Sequence, residues 1–134
     1  MTDSAMIPVI RLYGCLIVSI QVDLTDSMVV ALKEDIGTAI ERSGARGLLI
    51  DVSGMFVMDS YVSRAIQELA QIARLMGVEA VIVGMAPAVA TTLVEMSVRQ
   101  TGVKTALNLE RGLEVILQKL PQKEPQKEPE VDRP

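Results

Sequence analysis

Apolar residues along this chain follow two alternating patterns, one typical of buried strands and the other typical of amphipathic helices. Residues 7–12 and 15–21 are short β-rich runs, and Tyr13 and Gly14 separate them. Two such runs with two intervening residues are typical of a hairpin. We therefore expect the first two elements of the fold to be an antiparallel pair of strands joined by a short turn.

Two longer segments have the three- and four-residue spacing of a helix that packs one face against a core. The first helix is predicted to begin near residues 25–26 and to end at Gly44. The second is predicted to begin at residues 59–60 and to stop at Gly77. Charged residues between the apolar positions of the first helix give it a solvated face.

Shorter elements separate and follow these helices. Continuous apolar runs predict buried strands at residues 48–52 and 80–83, and a last short strand is expected at residues 105–107. A third helix is predicted for residues 87–101, and Asn108 is expected to cap a final helix. The order β-β-α-β-α-β-α-(β)-α predicts an α/β fold in which a mixed, mostly parallel sheet of about four to five strands is covered by about four helices.

The composition changes at residue 121. Residues 121–134 contain four of the six prolines, repeat the sequence QKEP twice and include one branched apolar residue, Val131. Such a segment cannot bury enough surface to offset the entropy lost on ordering. We expect residues 1–120 to form one folded domain and residues 121–134 to be a disordered tail rich in proline and charge.

The composition also excludes several classes of protein. The chain has no His, one Cys and 2% aromatic residues, so it cannot supply a Ser-His-Asp triad, a Cys-based zinc cluster or an aromatic surface that stacks bases. The formal net charge of −4 argues against a nucleic-acid partner. We expect no metal, no cofactor and no catalytic residue, so the chain is not predicted to be an enzyme.

Neither a membrane span nor a signal peptide is predicted. The longest uncharged run, residues 80–94, is broken by Pro87 and falls short of the roughly 20 residues that a span needs. Near the N-terminus, Asp3 precedes any basic residue and Arg11 interrupts the apolar stretch. With a single Cys, this is consistent with a cytoplasmic protein that has no membrane partner.

The loop that precedes the second helix is where we expect function, because binding sites of open α/β sheets lie at the carboxyl ends of the strands. Within it, Val57 is expected to plug the end of the sheet. The two methionines and the phenylalanine of the loop cannot all point inward, so at least one is expected to lie in an exposed apolar patch. The candidate partner-binding residues are Met55, Phe56, Met58, Asp59 and Tyr61.

Ser60 is the candidate site of modification. By spacing alone, Ser60 or Asp59 is a helix N-cap. The same position would suit a phosphate, because free backbone N–H groups and the positive end of the helix dipole favour an anion there. The phosphate would also place a charge of about −1.5 to −2 among apolar residues. A phosphorylated Ser60 would therefore oppose an apolar partner contact, which is the behaviour of a switch.

Two other interpretations involve the carboxylates of this region. Asp51 is predicted to end a strand, as does the phospho-accepting aspartate of a response-regulator receiver, but residues 12–22 contain no acid that could complete a Mg²⁺ site. Asp51 and Asp59 could also pair for acid–base chemistry, although no substrate pocket is indicated. Solvated or capping roles are the simpler expectation for both aspartates.

Taken together, these segments resemble a STAS domain of the anti-sigma-factor-antagonist type, and within that family the small single-domain subunits of the bacterial stressosome. The resemblance spans about residues 6–120. It is carried by the order of elements and by five stretches, which are residues 7–21, 49–60, 75–78, 87–93 and 105–114. The sequence Asp59-Ser60 at the start of a helix is part of the pattern.

The resemblance implies a function and a set of partners. Ser60 matches the serine that a partner serine kinase of the RsbT type phosphorylates. The unmodified protein would be a scaffold that holds this kinase together with STAS paralogues of the RsbR type, in a large self-associated assembly. Phosphorylation would release the kinase in the general stress response, and a PP2C-type phosphatase would reset the system. A free-standing anti-sigma-factor antagonist, with the same serine but a different partner, is the alternative.

Overall fold

The structure is a computed structural model that describes residues 7–21, 23–95 and 103–119 of the 134-residue chain. This part of the chain has an α/β fold with a five-stranded sheet and four helices, as the sequence predicts. The elements in chain order are β1 (Val9–Leu12), β2 (Cys15–Ser19), α1 (Asp26–Ser43), β3 (Gly47–Asp51), α2 (Ser60–Leu75), β4 (Glu79–Val83), α3 (Pro87–Glu95), β5 (Lys104–Ala106) and α4 (Leu109–Lys119).

The five strands lie in the sheet in the order of the chain, β1-β2-β3-β4-β5. β1 is antiparallel to β2, and the remaining neighbours are parallel. Tyr13 and Gly14 connect β1 to β2 with φ angles of 54° and 76°, both in the left-handed region. Two consecutive residues with positive φ form the tight turn whose twist suits a hairpin, so the predicted antiparallel pair is confirmed.

β2, β3 and β4 are apolar on both faces because helices cover both sides of the sheet. Residues that alternate along β2, β3 and β4 pack under α1, α2 and α3 in one large core. The intervening residues face α4 and form a smaller core around Ile116, and Cys15 is fully buried there. Burial raises the pKa of the Cys15 thiol, and a buried thiol with a raised pKa is a poor nucleophile.

The first helix begins and ends where its capping residues predict. The Thr25 hydroxyl accepts a hydrogen bond from the Met28 N–H at 3.3 Å, and Gly44 ends the helix with a left-handed φ of 65°. These contacts satisfy backbone groups that a helix end leaves unpaired. The other capping prediction is also confirmed, since Asn108 Oδ1 accepts from the Arg111 N–H at 2.9 Å.

Close packing at two glycines brings α4 against the sheet. A Cβ atom on Gly112 would lie 2.6 Å from a methyl carbon of Val83 and 2.7 Å from one of Leu49. A Cβ atom on Gly47 would lie 2.5 Å from Ile116. Glycine at both positions therefore permits an approach that any larger residue would prevent.

Observed and predicted boundaries differ by a few residues, and some predictions cannot be compared. β1 and β2 are shorter than the runs 7–12 and 15–21, because only part of each run pairs with its neighbour. β5 begins one residue earlier than predicted. The predicted continuation of α3 to residue 101 and the predicted tail at residues 121–134 lie outside the described residues.

Candidate functional site

Three loops meet at the edge of the sheet where β2, β3 and β4 end. Asp51, the last residue of β3, is in register with Ser19 of β2 and with Val83 of β4. The loops that follow therefore leave the sheet side by side, as the sequence predicts for parallel strands. The middle loop, residues 52–59, leads into α2 and carries most of the candidate residues.

Asp51 organises the start of this loop. Its Oδ1 accepts a hydrogen bond from the Ser53 N–H at 2.9 Å, and the Met55 N–H donates to the Val52 carbonyl at 3.0 Å. The first contact forms a turn of the kind that Asp side chains favour, and the second closes the backbone turn that follows it. Gly84 of the neighbouring loop has a positive φ and passes so close that a Cβ there would lie 3.0 Å from Asp51 Oδ1. Asp51 thus stabilises the start of the loop, which is close to the solvated or capping role that was the simpler expectation.

The middle of the loop separates buried from exposed apolar residues. The exposed Phe56 confirms that at least one of the three large apolar residues lies at the surface, whereas the expectation for Val57 is wrong. Met55 and Met58 are only 7% and 5% exposed and belong to the large core. Phe56 and Val57 are 82% and 78% exposed. Val57 does not plug the end of the sheet, because the two methionines fill that space. The methionines in turn lie beneath the surface, so the exposed apolar patch consists of Phe56 and Val57.

Asp59 is the N-cap of α2, and Ser60 is the first residue of the helix. Asp59 has an extended backbone, and its Oδ1 accepts from the Val62 N–H at 2.8 Å. Ser60 is exposed and directly follows this cap. Among the described residues, the N–H groups of Ser60 and Tyr61 have no hydrogen-bond acceptor. Two free N–H groups at the positive end of a helix suit an anion attached to the first helical residue.

Tyr61 links the start of α2 to the start of α1. Its hydroxyl donates to Asp26 Oδ1 at 2.5 Å, and this hydrogen bond is the main cause of a raised pKa of Tyr61. Burial and the negative charges of Asp26, Glu68 and Asp59 act in the same direction. Sequence reasoning missed Asp26 as part of this site. The sequence places Asp26 in the first turn of α1, but its hydrogen bond with Tyr61 depends on how α1 and α2 pack.

No group of three or more metal-ligating side chains occurs within the described ranges, so these residues do not form a metal centre. For the same part of the chain, no helix combines the length and the apolar character that a membrane span requires. The chemical features of the edge are therefore an exposed hydroxyl, free backbone N–H groups, an exposed apolar patch and several carboxylates.

The sheet, the loop and the helix start described above belong to a known protein family. The STAS domain family matches residues 6–114, which include every element up to the middle of α4. The chain belongs to the STAS family. The match covers Asp51 together with the loop and the helix that follow it. The STAS assignment therefore replaces the interpretation of this region as a response-regulator receiver.

Within this family, the chain is similar to subunits of the stressosome. It is 36% identical to a serine-to-glutamate variant of RsbS from Moorella thermoacetica, with a TM-score of 0.71 over 84% of this chain and 95% of that one. A chain in the solved structure of the stressosome, a signal integration and transduction hub, is also 36% identical to this chain. The TM-score is 0.73 over 84% of this chain and all of that one. The chain is thus a stressosome-type STAS protein.

One relative is a larger protein. The RsbT co-antagonist protein RsbRA of Bacillus subtilis (strain 168) is 25% identical over 83 residues, which are 62% of this chain and 30% of that relative. The chain spans less than a third of the length of this relative.

Proposed function

We propose that this protein is a non-enzymatic phosphoswitch and scaffold subunit of a bacterial stressosome, acting in the general stress response in the cytoplasm. Its unmodified form sequesters a serine kinase of the RsbT type, together with STAS paralogues of the RsbR type. Phosphorylation of Ser60 releases the kinase, and a PP2C-type phosphatase removes the phosphate. The proposed partner surface consists of Phe56, Asp59 and Tyr61, with Met55 and Met58 as its buried support.

The position of Ser60 is the observation that carries this proposal. Its side chain is exposed at the first residue of α2, so a kinase can reach the hydroxyl without unfolding the helix. In contrast, Ser63 in the next turn is buried. A phosphate on Ser60 would face the free N–H groups of the helix start, which lowers the cost of adding its charge.

The same phosphate would oppose a partner that covers Phe56 and Val57. An apolar contact excludes water, and a group with a charge of about −1.5 to −2 is costly to desolvate when no cation faces it. Phosphorylation would therefore weaken the partner complex while leaving the STAS fold intact. The phosphate is tolerated at the helix start but opposes the apolar partner contact, and this contrast is the physical basis of the proposed switch.

Labelling of Ser60 tests the modification. We expect the RsbT-type kinase and ATP to add one phosphate to the wild-type chain, to add none to Ser60→Ala, and to add one to Ser53→Ala, as measured by intact-protein mass spectrometry. Ser53 is a matched control because it is an exposed serine of the same loop. Undiminished labelling of Ser60→Ala would contradict the assignment, and a hydroxylamine-sensitive label would point to Asp51 instead.

Binding and size test the switch and the scaffold. Ser60→Ala should hold the kinase as the wild type does, whereas Ser60→Asp should bind it more weakly in a pull-down at matched concentrations. Mixed with RsbR-type paralogues, the chain should elute within a large assembly on size-exclusion chromatography. A chain that binds the kinase but never joins such an assembly would instead be a free-standing antagonist.

A further inference from the structure

The exposed apolar patch borders an open concave surface between two loops. Phe56 and Val57 line it on one side, and Gln21 and Asp23 of the β2–α1 loop line it on the other. The loops touch at Gly54, where a Cβ would lie 2.7 Å from the Gln21 side chain. The glycine therefore fixes how closely the loops approach, so Asp23 and the apolar patch belong to one surface.

The charged residues of the two loops beside this surface are acidic. Residues 20–32, 52–63 and 84–94 are the loops after β2, β3 and β4 and the starts of α1, α2 and α3, and they contain no Lys or Arg. The start of α4 lies at the same edge on the far side of β4 and carries both Glu110 and Arg111. The acids where β2 and β3 end and where α1 and α2 begin are Asp23, Asp26, Asp51 and Asp59. A surface lined by one sign of charge attracts partners of the opposite sign and repels others.

Asp23 differs from the other three aspartates in its contacts. Asp26 accepts from Tyr61, Asp51 accepts from Ser53, and Asp59 caps α2. Asp23 is exposed and makes no hydrogen bond or ion pair with any residue that the structure describes. Its carboxylate is therefore available to a partner without the loss of an internal contact.

From this geometry we infer that the concave surface of Phe56, Val57 and Asp23 docks a partner that presents an apolar side chain flanked by Arg or Lys. This rests on the proposed function and specifies the chemistry of the kinase surface that this protein holds. The apolar pair supplies most of the affinity, since it is desolvated on contact. Asp23 stays at the hydrated rim and mainly accelerates encounter.

A basic partner is compatible with release by phosphorylation because the two charges act in different surroundings. The carboxylate of Asp23 keeps its water at the rim and attracts the partner from a distance. A phosphate on Ser60 would be attached four residues from Phe56, where docking excludes water. There the desolvation cost opposes binding even when the long-range attraction favours it.

Binding kinetics of the RsbT-type kinase on the immobilised full-length chain test this inference. We expect Phe56→Ala to raise the dissociation constant about tenfold. Asp23→Asn should slow association about threefold at low salt, and the difference should vanish at high salt. Glu41→Gln is the matched control, because Glu41 is an exposed acid at the opposite end of α1. Since all three side chains are exposed, thermal melts should coincide with the wild type.

The outcomes separate this inference from the proposed function. If both variants bind like the wild type while Ser60 is still phosphorylated, the inference is wrong and the proposed function stands. An effect of Phe56→Ala without any effect of Asp23→Asn would overturn the inference that the partner surface is basic. A wild-type chain that never binds the kinase would overturn both.

The other candidate occupant is a second copy of this chain. The opposite edge of the chain has more bases than acids, since Arg42, Arg74 and Lys104 lie there together with Glu41 and Glu79. Light scattering of this protein without any partner tests this alternative. If Phe56→Ala and Asp23→Asn lower the mass of the oligomer and leave kinase binding unchanged, the surface is a self-association site and the inference fails.

Discussion

At the scale of single residues, the site depends on contacts that place polar groups beside the helix start. Asp59 satisfies one N–H group of α2 and leaves two others free near Ser60. Tyr61 is turned toward α1 by its hydrogen bond to Asp26. The sequence predicted Asp59 or Ser60 as the cap, but it could not distinguish the inward methionines from the outward Phe56 and Val57. That choice depends on the space left at the end of the sheet.

The link between Tyr61 and Asp26 leads to a prediction about pH. The hydrogen bond needs the neutral phenol, so it raises the pKa of Tyr61 above the ordinary value of 10.0. By linkage, its contribution to stability is complete below that value and is lost as the pH rises through the higher pKa of the folded state. Asp26→Asn should return the Tyr61 pKa toward 10.0.

Ultraviolet absorbance of tyrosinate measures this pKa. The chain has two tyrosines, so a Tyr13→Phe background leaves Tyr61 as the single chromophore of this type. Tyr13 is exposed in the hairpin turn. Glu68→Gln in the same background is the control for loss of a nearby charge without loss of the hydrogen bond. Equal titration midpoints for Asp26→Asn and its parent would show that the hydrogen bond has no influence in solution.

At the scale of elements, periodicity and capping residues predicted the order of strands and helices well. The signals were local, such as Tyr13 and Gly14 in the hairpin and Gly44 after α1. The packing of α4 was not foreseen, because Gly112 reads as an ordinary weak helix former in sequence. Its role depends on the register of α4 over β3 and β4, which no local pattern contains.

We predict that Gly112→Ala destabilises the fold although alanine favours helices. The new methyl group would overlap Val83 and Leu49, both fully buried, and overpacking of this kind costs about 1–3 kcal/mol. Gly37→Ala is the matched control. Its nearest neighbour would be Met76 Sδ at 4.0 Å, an ordinary contact, so it should gain up to about 1 kcal/mol from helix propensity. Urea unfolding monitored by circular dichroism compares the two, and equal shifts would contradict close packing at Gly112.

At the scale of the whole molecule, the charges are separated along the direction of the parallel strands. Aspartates lie on the loops and helix starts where β2 and β3 end, and bases outnumber the acids Glu41 and Glu79 at the opposite edge. Part of this separation follows from helix dipoles, which favour acids at helix starts and bases at helix ends. Net charge alone, −4 for the chain, did not reveal it. Only the topology shows that acids far apart in sequence share one edge.

The boundary of the folded domain is the last prediction at this scale. The composition of residues 121–134 predicts no contribution to the core, and the α4 residues that fill the smaller core precede it. A chain ending at residue 120 should therefore have the same urea midpoint and the same slope as the full chain. A chain ending at residue 111 is the control, because it lacks Leu113 and Ile116 and should lose stability sharply. A lower slope for the chain ending at residue 120 would mean that the last fourteen residues bury surface, and the domain boundary would have to be moved.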